Sequence, residues 1–507
     1  MTKHKFIAGC VGLSLTWAGE INAQQVQLVP PVNMAQPQRD AVACKAPADI
    51  KKLPGIDNSA ASCPSMFAWR LFVWAFQPKA GSNMVRWQTW ATDDETFPFN
   101  PKPSQCRNGK GPQAHCPVWP TTTDAKQRHQ AVKFSIPPVK SSFHSLSAEQ
   151  CQAGNCPEIV YRNQESFDYI VKNNLWYQQG LAKRFNGADI QFPVKAIELK
   201  TKWVKIAPKN LKKDRQRYFT MEKEGVTYGL VGLHLSSKHQ PNWLWATFEH
   251  KDNLGRCDYV GCYDFFGNTQ PIIKPKKKGG KYPAGNLTKD LMNWMNALAV
   301  DKRLKNYRLK GVQINYTDSY GRPIVFGNSA IEVGFAATSS CMSCHVRASF
   351  TKEGENVLGF GADRLDQSYN GCPQPAWFNP LWTYGNPPML KPADFVWALS
   401  KAEKAKVPPT QLSPKDGVVS YDYPGYTTDL KWTAVPDATS YQVEIQYKRS
   451  NDNRWLPWKK ISTTTTEFTF QFLLNTPLNM RGRWRVWAVY PRGEGPKTGW
   501  WTFKYRR

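Results

Sequence analysis

A chain of 507 residues exceeds what one hydrophobic core usually organises, so more than one domain is expected, and its 41% apolar and 13% aromatic content, with 21 tryptophans, can fill large cores. The formal charge of +28 draws anionic proteins, polyanions or acidic membrane surfaces. Beyond the N-terminus no stretch approaches the roughly 20 consecutive apolar residues that cross a bilayer, which excludes a membrane-spanning class and leaves surface association with a membrane open.

Residues 1–23 have the three parts of an export signal: basic Lys3 and Lys5, an apolar run from Phe6 to Trp17, and the small-residue exit Ile21-Asn22-Ala23. The expected location is periplasmic or secreted, where disulfides persist and nucleic acid is a poor partner. Residues 24–60 are rich in Pro, Gln and Ala and read as an extended leader. The apolar spacing of 65–77, stopped by Pro78, predicts a buried helix. Residues 78–160 read as long loops, with an acidic trio, Asp93, Asp94 and Glu95, that offers carboxylates to a cation such as calcium or to solvent. A second helix is expected over 165–186.

Strands are expected at 194–206, 226–235, 243–249 and 308–316, and helices at 287–302, 329–346 and 393–404, which makes residues 61–404 a mixed α+β body. Two basic clusters, one from Lys209 to Arg217 and one from Lys274 to Lys281, read as solvated loops. A linker over 405–411 leads into 412–507, where short strands alternate with turn residues.

Pairing cysteines with their sequence neighbours joins Cys44 to Cys63, Cys106 to Cys116, Cys151 to Cys156 and Cys257 to Cys262, and leaves Cys372 unpaired. The rival arrangement sets the Cys151/Cys156 and Cys257/Cys262 pairs around zinc.

The run Ser340-Cys341-Met342-Ser343-Cys344-His345 carries the chemistry. Cys-x-x-Cys-His presents two thiols one helical turn apart to two vinyl groups and places an imidazole beside them for the iron. On this motif the chain resembles the c-type cytochromes. The resemblance implies one covalently attached haem c, with Cys341 and Cys344 as thioether sites and His345 as the proximal iron ligand. For the sixth position Met389, in Asn386-Pro387-Pro388-Met389, is the candidate methionine, while His234, His239 and His250 are candidate histidines and an open site is the remaining option.

The segments around Trp432 and Tyr441, and the late strand Trp484-Arg485-Val486-Trp487-Ala488-Val489, resemble a fibronectin type III domain over 412–507. That implies an immunoglobulin-like β-sandwich without disulfides and without chemistry of its own. Its Trp484/Trp487 and Trp500/Trp501 pairs are expected in the core. The function expected from the whole is one-electron transfer by an exported mono-haem cytochrome meeting an acidic redox partner protein. The alternatives are a haem-dependent oxidoreductase with an open distal site and a haem-based binding or sensing module.

Overall fold

The computed structural model describes residues 59–106, 111–112, 114–134, 156–272, 279–318, 320–333, 335–356, 371–373, 378, 390–419, 427–448, 453–471 and 481–504. The expected export signal, nearly all of the leader, Cys44, Cys151 and Met389 lie outside them. The chain is multi-sheet and mostly β, with some helices. It divides into two compact units: Met1–Phe97 with Arg107–Gln113 and Pro117–Ala402, and Pro98–Cys106 with Ala114–Cys116 and Glu403–Arg507.

The first unit is built on helix α1 (Pro64–Ala75), which opens with a proline and is hydrophobic on every side, so residues 65–75 are all buried. It packs on an antiparallel seven-stranded sheet. The strands are β1 (Ala91–Thr92), β2 (Glu158–Arg162), β3 (Ile197–Lys205), β4 (Thr220–Lys223), β5 (Val226–Ser237), β6 (Leu244–His250) and β7 (Tyr307–Gln313), in the order β1-β2-β3-β5-β6-β7 with β4 beside β5. Side chains alternate between faces along a strand, and the register sorts them. Leu199, Leu235 and Ala246 lie opposite one another and are buried under α1, where Phe72 stacks on Phe248 at 4.5 Å. One residue along, Lys200, His234 and Thr247 lie opposite one another, as do Ser236, Trp245 and Gln313. The sheet thus has an apolar face covered by α1 and a second face carrying charge, hydroxyls and an indole.

Several expected helices are shorter than their periodicity suggests. The 165–186 helix divides into α2 (Gln164–Lys172) and α3 (Gln178–Phe185), because Asn174 takes a left-handed φ of 56°. Gly180 permits the close return: a Cβ there would lie 1.8 Å from the Asn174 carbonyl oxygen. The 287–302 helix ends as α4 at Lys289–Ala297. Of 329–346 only α5 (Cys341–His345) is helical, since Asn328 and Glu332 bond local backbone N–H groups and turn the chain before it. The 393–404 segment holds a single 3-10 turn at Trp397–Lys401, after left-handed Asp394 and Phe395.

The acidic trio is structural. Glu95 accepts from the Thr92 N–H at 2.7 Å to cap its turn and pairs with buried Arg128, while Asp93 pairs with fully buried Arg162. Disulfides join Cys106 to Cys116 and Cys257 to Cys262, as sequence adjacency suggested, and the second bond removes the zinc arrangement. Cys372, expected to be unpaired, is disulfide-bonded, as are Cys63 and Cys156. A disulfide is set by the approach of two Cβ atoms in space, which counting along the chain does not supply.

The first unit also holds an antiparallel pair, β8 (Ser349–Phe350) with β9 (Lys391–Pro392). The second unit has strands β10 (Gln411–Ser413), β12 (Thr427–Trp432) and β15 (Glu467–Gln471) in one sheet. The other holds β11 (Val418–Val419), β13 (Ser440–Lys448), β14 (Leu456–Thr463), β16 (Arg481–Tyr490), β17 (Gly493–Glu494) and β18 (Trp501–Lys504). Trp432, Tyr441, Val443, Trp484, Val486 and Phe503 fill the space between the sheets. No described strand of the sandwich carries a cysteine, but the compact unit also takes in the Cys106–Cys116 staple.

Candidate functional site

Helix α5 docks on the charged face of the first unit's sheet. Gln313, the last residue of β7, donates through Nε2 to Ser340 Oγ at 2.8 Å and accepts the Met342 N–H through Oε1 at 3.2 Å. Ser340 is the N-cap of the helix, and Ser343 Oγ donates to the Gly371 carbonyl at 2.7 Å. Gln313→Leu should leave the Met342 N–H unsatisfied and take one donor from Ser340 Oγ, which keeps the Ser343 N–H, at a cost of about 1–3 kcal/mol. Amide hydrogen exchange over 340–346 should speed up accordingly; unchanged protection would show that the glutamine does not hold the helix.

Within the motif, Met342, Ser343 and Val346 are buried, whereas Cys341, Cys344 and His345 are half-buried and share the i, i+3, i+4 stripe of one helix face. Cys341 and Cys344 are the free thiols among the described residues, every other described cysteine being in a disulfide. Burial pushes the Cys344 thiol up to about 11 and Cys341 well above the usual thiol range. Both are protonated at neutral pH, the opposite of the activated thiolate that disulfide exchange needs.

His345 is oriented from its far side. Its Nδ1–H donates to the Phe395 carbonyl at 2.9 Å, which leaves the lone pair on Nε2. Phe395 presents that oxygen from a left-handed φ of 69°, and the adjoining Asp394 is left-handed as well. The Asp394 carboxylate accepts from the Phe192 N–H at 2.7 Å and from Lys238 Nζ at 2.5 Å, anchoring the turn. Trp245 lies against the imidazole with ring centroids 4.3 Å apart, and Trp397 Nε1 donates to the Cys344 carbonyl at 3.1 Å. Burial lowers the His345 pKa to about 4, keeping the ring neutral, the state in which it can ligate a metal.

The same sheet face carries His234, two residues along β5 from the position opposite Trp245. His234 Nε2 donates to Glu332 Oε1 at 3.0 Å, and Glu332 Oε2 accepts the Asn328 N–H at 2.6 Å. Asn328 in turn donates to Thr247 Oγ1 at 2.9 Å and fits because position 232 is glycine: a Cβ there would lie 3.1 Å from the amide oxygen. Burial alone would raise the Glu332 carboxyl, but His234 and Lys200 outweigh it and hold the group at about 2. Lys200 itself pairs with Glu158 at 2.7 Å. The charges of Lys200 and Glu332 both act on His345, in opposite directions.

The other candidate histidines sit differently. His250 is fully buried, stacked on Tyr218 at 4.0 Å; its Nε2 donates to the Arg217 carbonyl at 3.2 Å and its Nδ1 accepts the Asp252 N–H at 3.3 Å. Both ring nitrogens are therefore committed to the backbone. Burial lowers its pKa to about 4, below the ordinary 6.5 that applies when the chain is unfolded. The unfolded state then binds the extra proton first, so stability contributed above pH 6.5 is lost as pH falls toward 4, on the order of 3 kcal/mol in all. His250→Gln should flatten the pH dependence of the thermal midpoint in that window; an unchanged slope would move the acid sensitivity elsewhere. His239 packs on Phe67 with centroids 5.2 Å apart and takes the Ser237 hydroxyl at Nδ1, 2.6 Å away. Met389 is outside the described residues.

Sequence reasoning located the three motif residues but missed Gln313, Trp245, Glu332 and Phe395, which act on the motif only across the fold. Gln313 closes a strand of mixed apolar and charged residues, Tyr307–Gln313, so nothing local marked it. Among the described residues no group of three or more His, Cys, Asp or Glu side chains converges to hold a metal ion unaided, and no helix is long and apolar enough to cross a membrane.

No protein-family model matches the chain, and comparison with curated proteins finds no match. Among solved structures it is similar to a Fn3-like protein from Clostridium thermocellum, 24% identical, covering 20% of this chain and 97% of that one with a TM-score of 0.16. The FN5 domain of Drosophila Lar is 18% identical, covering 20% of this chain and 99% of that one with a TM-score of 0.15. These likenesses are confined to a fifth of the chain, and the sandwich description above rests on its own strand pairing.

Proposed function

We propose that this protein is an exported mono-haem c-type cytochrome whose role is one-electron transfer. The observation that carries the reading is the helix-face stripe Cys341, Cys344 and His345: half-buried, with both thiols free while every other described cysteine is in a disulfide, and with an imidazole whose Nε2 lone pair is left available. This donor set fits haem c, because two protonated thiols one helical turn apart are what thioether formation consumes and a neutral imidazole beside them is what the iron takes. Once bound, the haem would supply a single-electron couple.

The residues around it would bind and tune. The Phe395 carbonyl, by accepting from His345 Nδ1, raises the basicity of Nε2 and fixes the plane of the ring. Trp245 covers the imidazole and limits water. His234 is the candidate histidine whose strand face is shared with the motif, and its Nε2 proton is held by Glu332. The export signal, the disulfides and the net charge of +28 support a periplasmic or secreted setting and an acidic redox partner protein.

The test is an absorption spectrum of protein made in a maturation-competent host, oxidised and reduced, with and without carbon monoxide. An unreactive low-spin haem is the result expected of an electron carrier. Fast carbonyl formation with peroxide turnover would replace it by the oxidoreductase reading, with His234 and Glu332 as the proton-handling pair.

A further inference from the structure

The outer face of the larger sandwich sheet carries a ladder of cations and indoles. The Arg483 guanidinium lies between Trp455, 4.5 Å away, and Trp500, 4.3 Å away, and Arg485 covers Trp500 at 4.3 Å. Trp487 lies one further pair along β16 and is covered by Lys497 at 4.1 Å and Lys460 at 5.2 Å. The tryptophan pairs expected in the core therefore divide: Trp484 is buried between the sheets with Trp501 packed against that core, while Trp487, equally buried but beneath the lysines, and Trp500 belong to this outer ladder.

The register makes the row regular. Arg481, Arg483 and Arg485 alternate with buried residues on β16, so their guanidiniums recur at the two-residue spacing of about 7 Å. Lys448 on β13 and Lys504 on β18 flank Arg481 on either side. Arg483 uses Nε and Nη2 on Gln446 Oε1, at 2.9 and 2.5 Å, and Arg485 uses the same two atoms on Glu444 Oε2, at 2.8 and 2.6 Å. Among the described residues, the Nη1 edge of each makes no hydrogen bond. Of the described carboxylates near the row, Glu444 is consumed by Arg485, Asp416 is held by the Thr502 N–H and hydroxyl, and Glu494 stands at the far end, opposite Val489. Burial and the neighbouring Arg485 lower the Arg483 pKa, the mark of like charges held together on one surface.

We infer that this face is a docking surface for a linear acidic polysaccharide bearing carboxylates. Planar guanidiniums with a free edge match carboxylates, and a row at fixed spacing suits a polymer with repeating charge. The indole faces are occupied by cations, so sugar rings cannot stack on them and recognition is electrostatic. A protein partner would want an open apolar anchor pocket at the centre, where this face has cation-covered rings. A membrane would want apolar side chains to enter the acyl boundary, and the exposed large hydrophobics described in this unit, Val407, Leu412 and Val419, lie outside the β13 and β16 strands that carry the row.

The test uses the full chain and alginate as the probe, with affinity measured over increasing salt. Arg483→Gln with Arg485→Gln should weaken binding by about tenfold or more at low salt and reduce the steepness of the salt dependence by about two charges. Lys209, Lys212 and Lys213 changed together to Gln should leave it nearly intact. Alginate affinity unchanged in the double arginine variant, an equal loss in the lysine control, or tighter binding of the same face to phosphatidylglycerol vesicles would overturn the assignment. If the arginine variant does not fold, Lys460→Gln with Lys497→Gln carries the same comparison. The readout does not involve the cofactor, so its outcome is independent of the haem reading.

Discussion

Cys341→Ser combined with Cys344→Ser is expected to abolish denaturant-resistant haem altogether, from one haem per chain to none. The two thiols are the proposed attachment points and are left unoxidised by the fold, and in the described residues no other free cysteine can replace them. Each single variant should retain haem through one thioether with a shifted spectrum. His345→Ala should leave the haem poorly attached or at an altered spin state, since the Nε2 ligand goes while the sulfurs remain. Mass spectrometry of the denatured, purified protein checks the count. Covalent haem surviving in the double variant would mean that another residue makes the bond, and the motif would lose its assigned role.

Trp69→Ala is expected to cost the first unit about 4 kcal/mol or more. The indole is fully buried, edge-on to Phe72 at 5.3 Å and Phe248 at 5.0 Å, and its Nε1–H donates to Asp264 Oδ2 at 2.8 Å. Truncating a buried aromatic costs about 3–5 kcal/mol through lost transfer energy and the remaining cavity. The change also takes a donor from a carboxylate that burial already pushes up to about 6, which adds to the loss. Gly267 shows how tightly the chain closes over the ring: a Cβ there would lie 2.1 Å from Nε1. Urea unfolding followed by tryptophan fluorescence should show the midpoint fall by a large fraction of the total, because domains retain only about 5–15 kcal/mol. A loss below about 1 kcal/mol would place the centre of the core elsewhere.

Much of the fold could be read locally. The helix over Pro64–Ala75 follows from apolar residues on all sides ended before Pro78, and the strands at 197–205, 226–237 and 244–250 follow from alternation and β-branched content. The reading failed where a side chain bonds backbone and halts a helix that periodicity would continue. Asn328 and Glu332 do this before the motif, and within the 165–186 stretch the left-handed backbone of Asn174 has the same effect. It failed too for Cys372, whose pairing depends on a distance in space.

Local chemistry and covalent spacing belong to the chain itself. One turn of helix puts Cys341, Cys344 and His345 on one face whatever surrounds them, and alternation along β16 puts Arg481, Arg483 and Arg485 on one side of a sheet. The environment of those groups came only with the tertiary structure: the Phe395 carbonyl behind His345, the Gln313 clamp, the His234–Glu332 pair on the motif's own sheet face, and the indoles that turn Arg483 and Arg485 into a ladder. Hydrogen bonds and cation–ring contacts are short-ranged, so they are decided by which distant segments meet, and sequence spacing carries no record of that.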